Sequence, residues 1–423
     1  MTNAIQVNLC RASVAALLSL VFAQCCPAQT VDATGVDAFG ECLGRLQLQA
    51  REAGIPEPLS RDVLGSLRYQ ERVIELDRAQ PEFRQTFAGY LRGRVTPARI
   101  ATGRLMRASY PALLDGLSRE FGVPGHYLVA FWGLETNFGS YLGRMPTLDS
   151  LATLACDPRR SEFFTTELLN ALRLMDRESL DREQMQGSWA GAVGHTQFMP
   201  SAYLEYAVDG DDDGQIDLWA SEADALASGA NYLQSLGWVS GERWGREVRV
   251  PDGFPWQRSG IDHRLSLAQW SELGVRRADG QPLPVADMQA ALLAPMGHSG
   301  PAFLVYDNFH VIMRWNRSQS YAIAVGRLAD RIAGAGDLVA QLPESDEAPT
   351  RQQVQAMQVR LAELGHDPGE PDGVVGPATR AALRDFQQAN ELIADGYPDA
   401  VSLERLVPKS IQEPKSIQEK ESN

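Results

Sequence analysis

The run Leu128-Val129-Ala130-Phe131-Trp132-Gly133-Leu134 leads directly into an acid, Glu135. No polar residue interrupts it at helical spacing, so a helix built from it has no face for water and must be buried all round. The chain therefore has to wrap other elements around this segment and carry a carboxylate at its end. An ionised carboxylate beside Phe131 and Trp132 is costly, so the pKa of Glu135 is expected to rise toward neutrality. A carboxyl that stays protonated at neutral pH can serve as a general acid. The same residues also suit a Glu that caps or pairs at a helix end.

A second chemistry-bearing stretch is Gly187-Ser188-Trp189-Ala190-Gly191-Ala192-Val193-Gly194-His195-Thr196-Gln197-Phe198-Met199-Pro200-Ser201. Its glycines let a backbone approach a ligand closely. The Gln197 amide both donates and accepts, which suits N-acetyl and hydroxyl groups, and Phe198 and Met199 add apolar area. An ordinary glycine-rich turn is the plainer alternative. A third stretch, Asp209-Gly210-Asp211-Asp212-Asp213-Gly214-Gln215-Ile216-Asp217, matches the start of an EF-hand loop. Asp209, Asp211, Asp213 and Asp217 stand at the carboxylate positions and Gln215 at the carbonyl position. The last ligand position holds Ala220 rather than Glu, which leaves Asp224 as the nearest closing ligand. So many like charges repel without a cation; a structural Ca2+ is expected here, against a solvated acidic turn.

Residues from about 36 to 240 read mostly as helices. Phe39, Leu43, Leu46 and Ala50 fall at helical spacing before Gly54-Ile55-Pro56, and Glu162 to Met175 is amphipathic. From about 245 to 315 the texture becomes β-rich, with runs such as Arg246 to Val250 and Phe303 to Arg314. Tyr321 to Ile332 returns to helix. The expected fold class is mainly α (α+β), a helical core with a small inserted β subdomain. The stretch 343–350 is a polar, Pro-flanked linker. Residues 351–407 form a compact three-helix unit with Val354, Met357, Leu361 and Leu364 on one stripe. The tail, 408–423, repeats Pro-Lys-Ser-Ile-Gln-Glu and is expected to be disordered.

At the N-terminus Arg11 precedes a short apolar run, Val14 to Ala23, and then small residues up to Ala28. This is the layout of an export signal, 1–28, cleaved after Ala28. A lipoprotein signal acylated at Cys25 or Cys26 is the alternative, although Gln24 is too large for it. No later segment is long and apolar enough to span a membrane, so a soluble, exported, periplasmic chain is expected. That leaves Cys42 and Cys156, either one disulfide or two buried thiols. The net charge of −15 argues against nucleic acid as a partner. No HExxH, GxSxG or phosphate-binding Gly loop occurs.

The frame Trp132-Gly133-Leu134-Glu135-Thr136-Asn137-Phe138-Gly139, followed by Gly187 to Ser201, resembles the B-type lytic murein transglycosylases. The resemblance runs from about residue 36 to 335, within an expected catalytic domain of 29–342. It also takes in Gly122-Val123-Pro124, Leu151 to Leu154, Pro158-Arg159-Arg160 and Ala230-Asn231-Tyr232. It implies a lysozyme-like helical core and an enzyme that cleaves peptidoglycan glycan strands as a carbon–oxygen lyase, the alternatives being a hydrolytic muramidase on the same fold or a non-catalytic peptidoglycan-binding scaffold. By position it implies Glu135 as sole acid and base, and Ser188 and Gln197 holding the muramyl N-acetyl group. Tyr110 and Tyr232 become aromatic walls, Arg159 and Arg160 reach the stem peptide, and Asn308 takes a cleft position. His310 and Trp315 stand where the family pattern has tyrosines. Residues 351–407, with Asp372-Gly373-Val374-Val375-Gly376-Pro377 and Phe386-Gln387, resemble the three-helix peptidoglycan-binding domain.

Overall fold

A computed structural model describes residues 33–79, 85–342, 348–408 and 411. The export signal, most of the linker and nearly all of the tail lie outside the described residues. The first part of the chain is helical: α1 (Ala33–Glu52), α2 (Glu71–Ala79), α3 (Phe87–Arg94), α4 (Pro97–Ser109) and α5 (Pro111–Phe121) lead to α6 (Gly125–Thr136). The two-residue strands β1 (Met145–Pro146) and β2 (Gln186–Gly187) pair across α7 (Thr147–Ala155) and α8 (Ser161–Glu178). Then come α9 (Pro200–Tyr206) and α10 (Glu222–Ser235).

A small antiparallel sheet follows, built from β3 (Gly245–Arg249), β4 (Arg264–Ser266), β5 (Arg276–Arg277), β6 (Gln289–Leu293) and β7 (Ala302–Val305), with α11 (Leu267–Glu272) inserted. The strand order is β4-β6-β7-β3-β5, registered by Gly245 opposite Val305 and Ala291 opposite Val305. The chain returns to helix in α12 (Asp307–Trp315) and α13 (Gln319–Ile332). It ends in the three-helix unit α14 (Arg351–Glu363), α15 (Pro377–Ala389) and α16 (Ala400–Leu406).

One expectation is corrected here. The β-rich reading of Phe303 to Arg314 holds only as far as Val305; Asp307–Trp315 is helix. Val311 and Ile312 are good strand formers, but with Asn308 and Phe309 they form one buried helical face. Tertiary burial overrides local propensity there.

The buried positions of α6 are Tyr127 to Leu134 and Thr136, so every face of the helix is covered. α13, α4 and α5 pack around it within one apolar core, and a second core gathers α1, α7, α8 and α9. Trp315 touches both cores, which sets the end of α6 at the seam between them. Cys42 and Cys156 are joined in a disulfide, with Cα atoms 5.9 Å apart, tying α1 to the end of α7.

Candidate active site

α6 stops abruptly after Thr136, one residue past Glu135. Asn137, Phe138 and Gly139 all take positive φ, at 50°, 59° and 77°. For the two non-glycine residues this backbone is unfavourable by about 1 kcal/mol each. It is held because the Phe138 ring fills the space over Gly133, where a Cβ would come within 2.7 Å of it. The turn leaves Glu135 at the helix end, half-buried while its neighbours on the helix are buried.

Two donors from the far side of the seam reach its Oε1. The Trp315 indole Nε1–H donates at 3.0 Å, and the Tyr321 hydroxyl donates to the same oxygen. Among the described residues Oε2 accepts no hydrogen bond. Burial is the largest influence on the carboxyl and pushes its pKa up to about 7, against the opposing pull of Tyr321, Trp315 and Arg94. None of those three is a carboxylate. Burial also pushes the Tyr321 phenol well above its ordinary value, so it stays a donor.

The stretch after β2 doubles back on itself through the bridges Gly187 to Val193 and Val193 to Phe198. The N–H of Ser188 donates to Ala192 O at 2.8 Å, and Ser188 Oγ accepts from Ala192 N at 3.0 Å. Gln197 takes φ 51°, a strained conformation for a residue with a side chain. Its Nε2 donates to Leu142 O at 3.1 Å and Gly194 O at 2.9 Å, which turns the amide, and its oxygen accepts no hydrogen bond among the described residues. Phe198 is buried, Met199 is half-buried, and an aromatic wall forms where Phe198, Tyr232 and Trp315 meet with ring centroids 5.2–5.5 Å apart. Phe131 completes the wall at 4.5 Å from Trp315.

His195 locks this loop to α6. Trp132 Nε1–H donates to His195 Nδ1 at 2.9 Å, and the Thr136 hydroxyl donates to His195 O at 2.9 Å. The ring must be unprotonated at Nδ1 to accept, and burial lowers its pKa. Gly139 is required opposite it, since a Cβ there would lie 2.2 Å from His195 Cε1.

The other expected site residues are placed as follows. Tyr110 is half-buried and meets Trp132 edge-on at 6.0 Å. Arg159 and Arg160 both pair with the buried Asp77, Arg159 at 2.7 Å, so part of their charge is used within the fold. Asn308 is a correction. It is fully buried: Oδ1 accepts from Val239 N at 2.7 Å, and Nδ2 donates to Val239 O at 2.9 Å and Glu242 O at 2.7 Å. It pins the 239–242 loop to α12 and offers nothing to a ligand. Trp315, read from the sequence only as a departure from a tyrosine, and Tyr321, read only as the start of a helix, are the residues that hold Glu135.

The acidic loop brings carboxylate oxygens of Asp209, Asp211 and Asp213 within 4.8 Å of one another. Asp209 turns the loop by accepting from Gly214 N at 2.8 Å, and the N–H of Gln215 donates to Asp213 at 2.8 Å. Three hard oxygen donors at this spacing fit a Ca2+-sized cation. Two expected ligands are corrected. Asp224 is buried, and its two oxygens accept from Gly210 N at 2.8 Å and Asp217 N at 2.7 Å, so it shapes the loop from inside. Asp217 lies outside the cluster and caps Trp219 and Ala220 through Oδ1.

A helical core closed around one raised carboxyl, with a small sheet beside it, is the architecture of a lysozyme-like enzyme. Residues 38–330 match the transglycosylase SLT domain family, and the chain belongs to that family. Residues 350–406 match the peptidoglycan binding domain family. The membrane-bound lytic murein transglycosylase B of Escherichia coli (strain K12) is 35% identical over 240 residues, 56% of this chain and 65% of that protein. This chain thus spans just under two thirds of that curated relative.

Among solved structures, SltB3 from Pseudomonas aeruginosa in complex with NAG-anhNAM-pentapeptide is 42% identical. It covers 87% of this chain and 99% of its own, with a TM-score of 0.83. The Escherichia coli lytic transglycosylase Slt35 in complex with calcium is 31% identical over 70% of this chain and 93% of its own, with a TM-score of 0.61.

Proposed function

We propose that this protein is a lytic transglycosylase that cleaves the bond between N-acetylmuramic acid and N-acetylglucosamine in peptidoglycan without water, leaving 1,6-anhydromuramic ends. The observation that carries the reading is Glu135: a carboxyl raised to about 7, held at Oε1 by two neutral donors and free at Oε2. Near neutral pH a large fraction of it is protonated, so Oε2 can deliver a proton to the glycosidic oxygen. Glycoside hydrolysis normally divides the work between two carboxylates. With one, the substrate's own N-acetyl oxygen stabilises the cationic centre, and Glu135 then takes the proton of the muramic acid 6-hydroxyl as the anhydro ring closes. The aromatic wall of Phe131, Phe198, Tyr232 and Trp315 supports this by excluding water from that step. In this reading Ser188 and the Gln197 amide oxygen hold the N-acetyl group; that the Gln197 amide is oriented by its bonds to Leu142 O and Gly194 O supports it.

The protein acts in the cell envelope in this reading. Among the described residues no helix is long and apolar enough to cross a membrane. The domain 351–407 raises the local concentration of substrate, and a Ca2+ held by Asp209, Asp211 and Asp213 stiffens the loop ahead of α10. Glu135→Gln is the test. A folded variant is expected to lose glycan cleavage while still binding sacculi; cleavage at more than a few per cent of the wild-type rate would refute the assignment.

A further inference from the structure

The chain carries a net charge of −15, yet one cavity of about 770 Å³ is distinctly cationic. It runs along the flank of α12 and is lined by Arg264, His310, Arg314 and Arg317, with Asp307 as its one acid and Leu236 and Met313 as apolar floor. Arg264 pairs with Asp307 through one nitrogen, and Arg314 caps Leu236 O with one of its own. Each keeps further N–H donors. Arg317 is exposed and has no hydrogen-bond or ion-pair partner among the described residues. Nε2 of His310 is enclosed yet has no partner. Three guanidiniums against one carboxylate are a donor set with more capacity than its acceptor fills.

We propose that this cavity binds the carboxylate-bearing peptide arm of the glycan strand, beside and separate from the cleft at Glu135. This rests on the function proposed above. Trp315, which holds Glu135, ends the same helix, so Arg314 is its neighbour and Arg317 lies two residues beyond. A nine-residue helix is about 13.5 Å long, and an extended pentapeptide spans about 17 Å. A peptide hanging from a sugar at Glu135 therefore reaches any part of the cavity. The volume is that of a site for an organic ligand, far more than a bare inorganic anion fills, and the mixed floor suits small apolar side chains between polar ends. Arg159 and Arg160, the arginines that the sequence resemblance assigns to the peptide, already share Asp77.

The test compares full-length wild type, Arg317→Glu and Arg317→Lys on two substrates, strands bearing pentapeptides and the same strands stripped of peptide. Reversing a charge that pairs with a carboxylate is expected to lower kcat/KM on peptide-bearing strands by about tenfold. Lys should recover most of the loss, and stripped strands should be cut within about twofold of wild type by all three proteins. The peptide-dependent difference should shrink as salt is raised. Free pentapeptide should inhibit wild type more than Arg317→Glu. Equal losses on both substrates, no loss on either, or inorganic phosphate competing as well as the pentapeptide would each overturn the proposal while leaving the glycan reading intact. A wild type that cuts neither strand would sink the function reading, and the peptide site with it.

Discussion

Replacing Trp315 by Phe keeps an aromatic ring against Phe131 at the seam but removes the indole N–H that donates to Glu135 Oε1 at 3.0 Å. That bond favours the ionised carboxylate, so its loss must raise the pKa of Glu135 above its present value of about 7. A hydrogen bond to a charged group contributes about 1.5–3 kcal/mol, and 1.36 kcal/mol corresponds to one pH unit. Tyr321 remains in place, and water entering the space left by the indole offsets part of the loss, so a rise of about one unit is expected. Glu135 must be protonated to start the reaction. Activity therefore falls as pH rises through its pKa, and the alkaline limb of kcat/KM should move up by about one unit. The assay is a pH profile on peptide-free glycan strands, with Trp315→Tyr as the variant that can restore a donor. An alkaline limb that stays put or moves toward acid would refute the idea that Trp315 tunes the acid.

Three further outcomes follow from the same structure. A carboxyl that titrates near 7 when folded and near 4.5 when unfolded costs the folded state about 3 kcal/mol of stability once pH exceeds both values. Glu135→Gln should therefore melt higher than wild type at pH 8, with the gap closing below pH 5; no pH dependence of the gap would contradict the raised pKa. Chelation should lower Tm: a cation present at about a hundredfold over its Kd contributes about 2.7 kcal/mol, and Asp211→Asn should abolish the chelator's effect. Reducing the Cys42–Cys156 disulfide, which closes 114 residues of sequence, should cost about 3–5 kcal/mol by denaturant titration, an effect absent from a Cys42→Ala/Cys156→Ala protein.

What the sequence disclosed and what it concealed divide along one physical line. α6 was legible because an all-apolar run ending in an acid permits few placements, and the raised pKa follows directly from that burial. The partners of Glu135 were not, because Trp315 and Tyr321 lie 180 and 186 residues away and meet it only through packing. Trp315 showed only as an unusual residue at a tyrosine position. Asn308 and Asp224 illustrate the converse. Both are polar residues next to functional motifs, and only the backbone N–H and C=O groups that the fold brings to them show that they serve the loops rather than a ligand. The strand-like texture of Val311-Ile312-Met313 concealed α12, whose helical state depends on burying one face in the core.

Digestion of peptidoglycan in water enriched in heavy oxygen tests most directly whether one proton-shuttling carboxyl lets the sugar displace its own neighbour. Every new muramic end should carry the unlabelled 1,6-anhydro ring, lighter by one water than a reducing end. Labelled reducing ends as the main product would show water as the attacking group and contradict the mechanism.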